Sequence, residues 1–443
     1  MSRKPMVEST VGQSPGSQAY RARILHFVDN PAVVGEAAWQ YYEDGLLLVE
    51  QGHIKAVGPA DALLPGLNVP VEHFPDHLIM PGLIDCHIHY PQAEIIAAYG
   101  EQLLPWLNHY TFPAEAKFAD AAYAAQVADF FLDELLRNGT TTALVFGTVH
   151  PASVNAFFSA ASARGLRMIA GKALMDRNAP PHLCDTPDRG YTESRDLIER
   201  WHGVGRLQYA ITPRFAPTSS DEQLLRAAEL LREFPDAYMH THLAENTSEV
   251  AWVKSLFPAA RHYLDVYDKV GLVGRRSVFA HGVHLCDEEC KRLASAGSAV
   301  AHCPTSNLFL GSGLFDMAKL ESFGVRIGLG TDVGAGTSFS LFRTLDEAYK
   351  VQQLCGRSLN SFQALYLATL GGARALDLES KIGNFQPGKE ADFIVLDMQA
   401  TPLLKFRLPY CNSLDELLFV LNTLGDDRLV ERTYALGDCV HRR

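Results

Sequence analysis

Eight short apolar runs punctuate the middle of this 443-residue chain, between about Ile79 and Leu376, and polar or helix-like stretches separate them. The runs are LIMPGLIDCHIH (78–89), TTALVFG (141–147), LRMIAGKAL (166–174), LQYAITPRF (207–215), AYMHTHLAE (237–245), SVFAHGVH (277–284), SAVAHCP (298–304) and VRIGLGTDVG (325–334). Helical segments are predicted between them at Ala121–Arg137, Asp221–Phe234 and Glu288–Ala296. Strands alternating with helices predict a parallel sheet joined by crossovers, the α/β class. Eight such strands close a TIM-like (β/α)8 barrel, a fold that builds its chemistry at the C-terminal strand ends. The alternative is an open doubly wound sheet. That fold usually carries a Gly-rich phosphate loop after its first strand, and here CHIHYPQ stands in that place.

The two ends have a different rhythm. Arg21–Val28, Gly45–Val57, Ala391–Asp397 and Arg432–Val440 read as strands, with hairpin signals at Gln51-Gly52 and Gly437-Asp438. Neither end has enough material for a stable unit alone. Chain termini often meet in space, so residues 19–77 and 380–443 are expected to form one small β-sandwich domain beside a barrel over 78–379. Residues 1–18 read as a flexible tail, with no apolar core of a signal peptide behind Arg3 and Lys4.

Composition excludes several classes. The chain has 51 acidic against 39 basic side chains, a net charge of −12, and no Lys/Arg block. Gripping a phosphate backbone is therefore not expected, although a free base, which carries no phosphate, remains open. No stretch approaches the ~20 apolar residues that cross a bilayer. Eight cysteines without a CxxC pair predict reduced thiols; Cys286 and Cys290, four apart, lack a partnering pair for a structural zinc. A soluble cytoplasmic enzyme fits these features.

The most chemically loaded segment is Asp85-Cys86-His87-Ile88-His89. On a strand, His87 and His89 share a face and Cys86 is expected to point away. Alone, an H-x-H is weak evidence for a metal. Its weight grows because His242 closes the fifth run, His281 the sixth and Asp332 the eighth, all late in their strands. Three or four N/O ligands with one position open suit catalytic zinc, with iron as the alternative.

The pattern P-G-x-I-D-C-H-I-H, then H-T-H-L-A-E, a lone His and G-T-D resembles the amidohydrolase superfamily over nearly the whole chain, including G-x-F-x-x-G-K-x-A-D at 383–392. Within it, HYPQAEIIAAYGEQLLPWLNHYTFPAE (89–115), NGTTTALVFGTVHP (138–151), DRNAP (176–180), ITPRFAPTSS (211–220) and CPTSNLFLGSG (303–313) are similar to the guanine deaminases. The resemblance implies one zinc on His87, His89, His242 and Asp332. It also implies Glu245 as proton shuttle and His281 as the group that holds water or polarises substrate. Gln92, Arg214 and Phe215 match positions lining a guanine pocket, and a homodimer is implied. Binuclear members carry a carbamylated Lys late in strand four, where this chain has Thr212-Pro213-Arg214, so one metal is expected.

These residue types suit hydrolytic deamination. Zinc brings the pKa of a water from about 15.7 towards 7. Asp332 can then take a proton, and a dry Glu245 with a raised pKa can pass protons to ring nitrogen and leaving amine. A guanidinium such as Arg214 and an amide such as Gln92 complement a base's carbonyl and ring nitrogens. His89, His242, Glu245 and Asp332 would also touch the substrate, and Phe215 or Trp106 would stack on it. Lys172 is expected to be structural, 305–307 a loop, and Gly330, Gly334 and Gly336 to serve backbone geometry. Two other readings stay open: another N-heterocycle as substrate, for a deaminase or chlorohydrolase, and a metal-free scaffold.

Overall fold

The computed structural model describes residues 16–100 and 102–443. The tail expected over 1–18 lies outside the described residues up to residue 15, while Ser17 and Gln18 already pair with Glu50 and Val49. In chain order the strands are β1 (Ser17–Phe27), β2 (Trp39–Glu50), β3 (His53–Pro59), β4 (Val71–Pro81), β5 (Leu83–His89), β6 (Thr140–Phe146), β7 (Arg167–Gly171) and β8 (Ala173–Leu174). They continue as β9 (Gln208–Pro213), β10 (Tyr238–Leu243), β11 (Ser277–His281), β12 (Ala299–His302), β13 (Arg326–Leu329), β14 (Phe393–Asp397), β15 (Val430–Ala435) and β16 (Asp438–Arg442).

β5 to β13 form the barrel wall, all neighbours parallel, in the order β5-β6-β7-β9-β10-β11-β12-β13, with β8 pairing β9. The third run is thus two short strands broken at Lys172. Closure falls just past β13, where Asp332 N donates to His87 O and His89 N to Val333 O, both at 2.9 Å. Alternation sorts the side chains. Leu144, Ile169, Ala210, Tyr238 and Val278 point inward over a floor of Ala373, Ala375 and Leu376, while Ala143, Met168, Ile211, Met239 and Phe279 meet the surrounding helices. The long flanking helices are amphipathic and capped. Asp120 caps Ala121–Arg137, and Ser220 caps Asp221–Glu233.

The two ends meet as expected, and their strands form one seven-stranded mixed sheet, ordered β16-β15-β14-β4-β1-β2-β3, where a sandwich was expected. Tyr20, Ile24, Val49, Phe74, Phe393 and Tyr434 fill one face, and Leu25, Phe27, Met80 and Ile394 join the barrel's outer core. Gln51 and Gly52 both take positive φ, as a two-residue hairpin demands. Two features differ from expectation. Leu78–Pro81 belong to β4 of this sheet, and β5 starts only at Leu83. Gly82 makes the handover, since a Cβ there would lie 2.1 Å from Thr141 Oγ1. The C-terminal part also carries helices at Pro402–Arg407 and Leu414–Leu424, whose 3.6-residue period the strand signals masked. Among the described residues, no helix is long and apolar enough to cross a membrane.

Candidate active site

The C-terminal ends of β5, β9, β10, β11 and the turn after β13 bring His87, His89, Gln92, Arg214, Phe215, His242, Glu245, His281 and Asp332 together. All but His87 line one pocket, together with Leu103, Trp106 and Leu107.

His87 and His89 share the inner face, but strict alternation does not put them there. The register of β5 against β6 shifts between Asp85 and Ile88. This bulge lets Cys86 point inward too, against the expectation that it faces away from His87. Its thiol abuts Gly328, one layer below the contact of His87 with Gly330. His281 is re-aimed in a similar way. Val278 lies inward and Phe279 outward, so regular strand would send His281 outward; its φ of 72° turns it into the site. Asp332 has φ 51° and Ala244 φ 49°, so left-handed backbone clusters at the pocket.

The nitrogens of the three strand histidines converge. His89 Nε2 is 3.3 Å from His87 Nε2 and 3.2 Å from His242 Nε2, and Asp332 Oδ1 is 3.1 Å from His87 Nε2 and 3.3 Å from His89 Nε2. His242 Nδ1 must donate, since its partner at 2.6 Å is the Arg214 carbonyl, so its Nε2 is a bare lone pair. His87 Nδ1 meets His240 Nε2 at 2.8 Å, which orients that ring as well. Burial holds His87 and His242 below their ordinary pKa and pushes His89 to about 3, keeping the rings neutral. The Asp332 carboxyl is held well below its usual range by the surrounding imidazoles, His87 first, against the opposing pull of burial. Ligands 2.0–2.1 Å from a tetrahedral zinc lie roughly 3.3 Å apart, so this donor set fits one such ion. Phe146 stacks on His89 at 4.6 Å and closes the floor of the cluster. A third group, His77, Asp397 and Glu431, lies in the terminal sheet, where Arg443 already neutralises both acids.

Glu245 is buried, and loss of water together with nearby Asp332 raises its pKa to about 8. Its Oε2 is 3.5 Å from His281 Nε2, and Ser312 Oγ donates to its Oε1 at 3.3 Å. His281 Nδ1 donates to Asn307 Oδ1 at 2.9 Å, so the opposite nitrogen is aimed at Glu245 and, at 3.7 Å, at Asp332 Oδ2. Asn307 belongs to the short helix Pro304–Phe309, not to the loop expected over 305–307. The Lys172 ammonium pairs with buried Asp185, apart from the pocket residues.

Several contributors escaped sequence reasoning. Glu115 bonds Arg214 and Gln92, His240 orients His87, and Asp85 accepts from the amides of His87 and Thr331 at 3.1 Å each. Glu115 lies in a helical stretch 23 residues beyond Gln92, with no periodic signal to connect them. Only the TFPAE tail of the long similarity segment flagged its neighbourhood.

Fold and site define a (β/α)8 barrel with a His/Asp cluster able to hold a metal at its strand ends, and the chain belongs to the amidohydrolase family, which residues 78–440 match. It is 54% identical over 423 residues to the guanine deaminase of Escherichia coli (strain K12), covering 95% of this chain and 96% of the relative. The solved E. coli guanine deaminase superposes with a TM-score of 0.94 at 53% identity, over 96% of this chain and all of that one. A Clostridium acetobutylicum guanine deaminase with guanine bound in its active site superposes with a TM-score of 0.86 at 29% identity, over 96% of this chain and all of that one.

Proposed function

We propose that this protein hydrolyses guanine to xanthine and ammonia, using one zinc ion held by His87, His89, His242 and Asp332. The observation that carries the reading is the buried Glu245, its Oε2 3.5 Å from His281 Nε2 in a pocket that Arg214, Gln92 and Asp332 also line; burial pushes its pKa up to about 8. The guanine deaminases of E. coli and C. acetobutylicum supply the substrate by similarity. When bound, zinc supplies the Lewis acidity that makes water nucleophilic at neutral pH.

The chain's own residues do the rest. Arg214 and Gln92 orient the base by its oxo edge, and Phe215 packs beside it. Glu245, starting protonated, gives its proton to the ring nitrogen beside the attacked carbon. Asp332 takes the proton of the incoming water, and His281, oriented through its Nδ1 by Asn307, steadies the added oxygen's hydroxyl. Glu245, now a carboxylate, takes up the proton held by Asp332 and passes it to the amino group, which departs as ammonia; the hydroxyl proton then returns to Glu245 as the carbonyl forms, leaving both acids as they began. Leu103, Trp106 and Leu107 exclude bulk water.

Zinc rather than iron, a homodimer and a cytoplasmic location complete the proposal; elemental analysis and light scattering test the first two. Purified protein given guanine, adenine or cytosine should release ammonia from guanine. Ammonia from another base but not from guanine would assign a different N-heterocycle, and no stoichiometric metal would favour the scaffold reading.

A further inference from the structure

Glu115 is fully buried, and no part of the chemistry above uses it. Both of its carboxylate oxygens accept from Arg214 Nη1 at 2.8 Å, and Oε1 also accepts from Gln92 Nε2 at 3.1 Å. On its other side, Gln92 Oε1 accepts from the Gly334 amide at 3.4 Å. Resting on the guanine reading, we propose that Glu115 is a positioning residue that sets which substituent the pocket accepts across the ring nitrogen from the attacked carbon. It does so by making the Gln92–Arg214 wall a surface of donors.

The argument is one of hydrogen-bond polarity. A primary amide can turn either end to a neighbour, so an unconstrained Gln92 would read an oxo and an amino group about equally well. A carboxylate paired with a guanidinium only accepts. It therefore holds the NH2 end of Gln92 against itself, and the Gly334 N–H holds the oxygen end in the same sense. The free hydrogens of Gln92 Nε2 and of the Arg214 guanidinium are what remains for a ligand. Such a wall pairs with an oxo group and leaves an amino group at that position facing donors, unpaired in a buried site. Sites built this way discriminate steeply, because an unmatched buried polar group loses its water without replacement.

Guanine and 2,6-diaminopurine carry the same 2-amino group to be removed and differ along one edge, a 6-oxo group beside N1–H against a 6-amino group beside a bare N1, so their ratio reads how the wall meets that edge. Wild-type enzyme should favour guanine strongly in kcat/KM. Glu115→Gln keeps the volume but offers one acceptor in place of two and adds donors. The ratio of guanine to 2,6-diaminopurine should fall at least tenfold, chiefly through a higher KM for guanine. Glu115→Asp, which keeps the acceptors, should restore the preference in part. Metal content and melting temperature are read alongside. A ratio unchanged in Glu115→Gln would overturn the proposal, as would equal loss on both bases with KM unchanged, the mark of a purely structural residue. Should Glu115→Gln fail to fold, a ratio in Glu115→Asp equal to wild type despite an altered guanine KM would overturn it. Wild-type enzyme inactive on guanine would instead sink the underlying reading of the substrate.

Discussion

Glu245 owes its proton to burial, and the same dry surroundings would cost a neutral amide little. Glu245→Gln should therefore keep the fold and the metal, because the carboxylate is not among the converging ligand atoms. Turnover should fall by roughly 10²–10⁴, the usual contribution of a positioned proton donor. Zinc-to-protein ratio and ammonia release measure the two halves, and an active variant would remove Glu245 from the mechanism. His26 offers a test of residue-scale electrostatics away from the pocket. Buried on β1, it is held at about 4 instead of its ordinary 6.5 by loss of water. The unfolded chain takes up a proton below 6.5 that the folded chain refuses until about 4. Its contribution is complete above pH 6.5 and drains away as the pH falls through that window, by roughly 3 kcal/mol at about 1.4 per unit. His26→Phe should lose correspondingly less stability between pH 6.5 and 4 in paired urea melts.

At the scale of elements, what matters most is how strand ends and turns hand side chains to the pocket. His87, His89, His242 and Asp332 were legible because the two-residue spacing of His87 and His89 and a late position in a run survive in one dimension. The bulge in β5, the left-handed turn at His281 and the helix bearing Asn307 were not, since each breaks the periodicity that sequence reading relies on. The turn carrying Asp332 is one of the tightest. A Cβ on Gly336 would lie 1.7 Å from the Thr331 carbonyl oxygen, so no side chain fits without moving that turn. Gly336→Ala should weaken metal affinity by about 10–100-fold, the range seen when a ligand's support is disturbed. Competition with a metal chelator reads this directly, and an affinity equal to wild type would show that the turn relaxes freely.

Across the whole molecule, the terminal sheet is tied to the barrel by a buried ionic network. Arg206 reaches Asp392 at 2.7 Å and Glu390 at 2.8 Å, and Arg167 also pairs with Glu390. All four side chains are at least nine-tenths buried. Arg206→Ala would leave two carboxylates short of a partner in a dry place, at a cost of about 3–5 kcal/mol. The denaturation midpoint should fall accordingly, and a shift under 1 kcal/mol would mean that water replaces the guanidinium. Occupancy of the metal acts at this scale too, because its ligands come from strands far apart in the chain. Removing it should lower the melting temperature, and adding zinc back should restore it.

Eight runs, their spacing and the chemistry at their ends were enough to predict a parallel barrel, a terminal β unit and a His/Asp centre, because hydrophobic periodicity and residue type are local properties. Which groups hold those residues in place was not readable along the chain. Glu115 meets Arg214 across 99 residues and Asp85 meets Thr331 across 246. No periodic pattern links positions so far apart. Such pairs exist only once the barrel closes and removes water from between them. The converging histidines and Asp332 were written into the runs, while the contacts of Glu115 with Gln92 and Arg214 arose from packing.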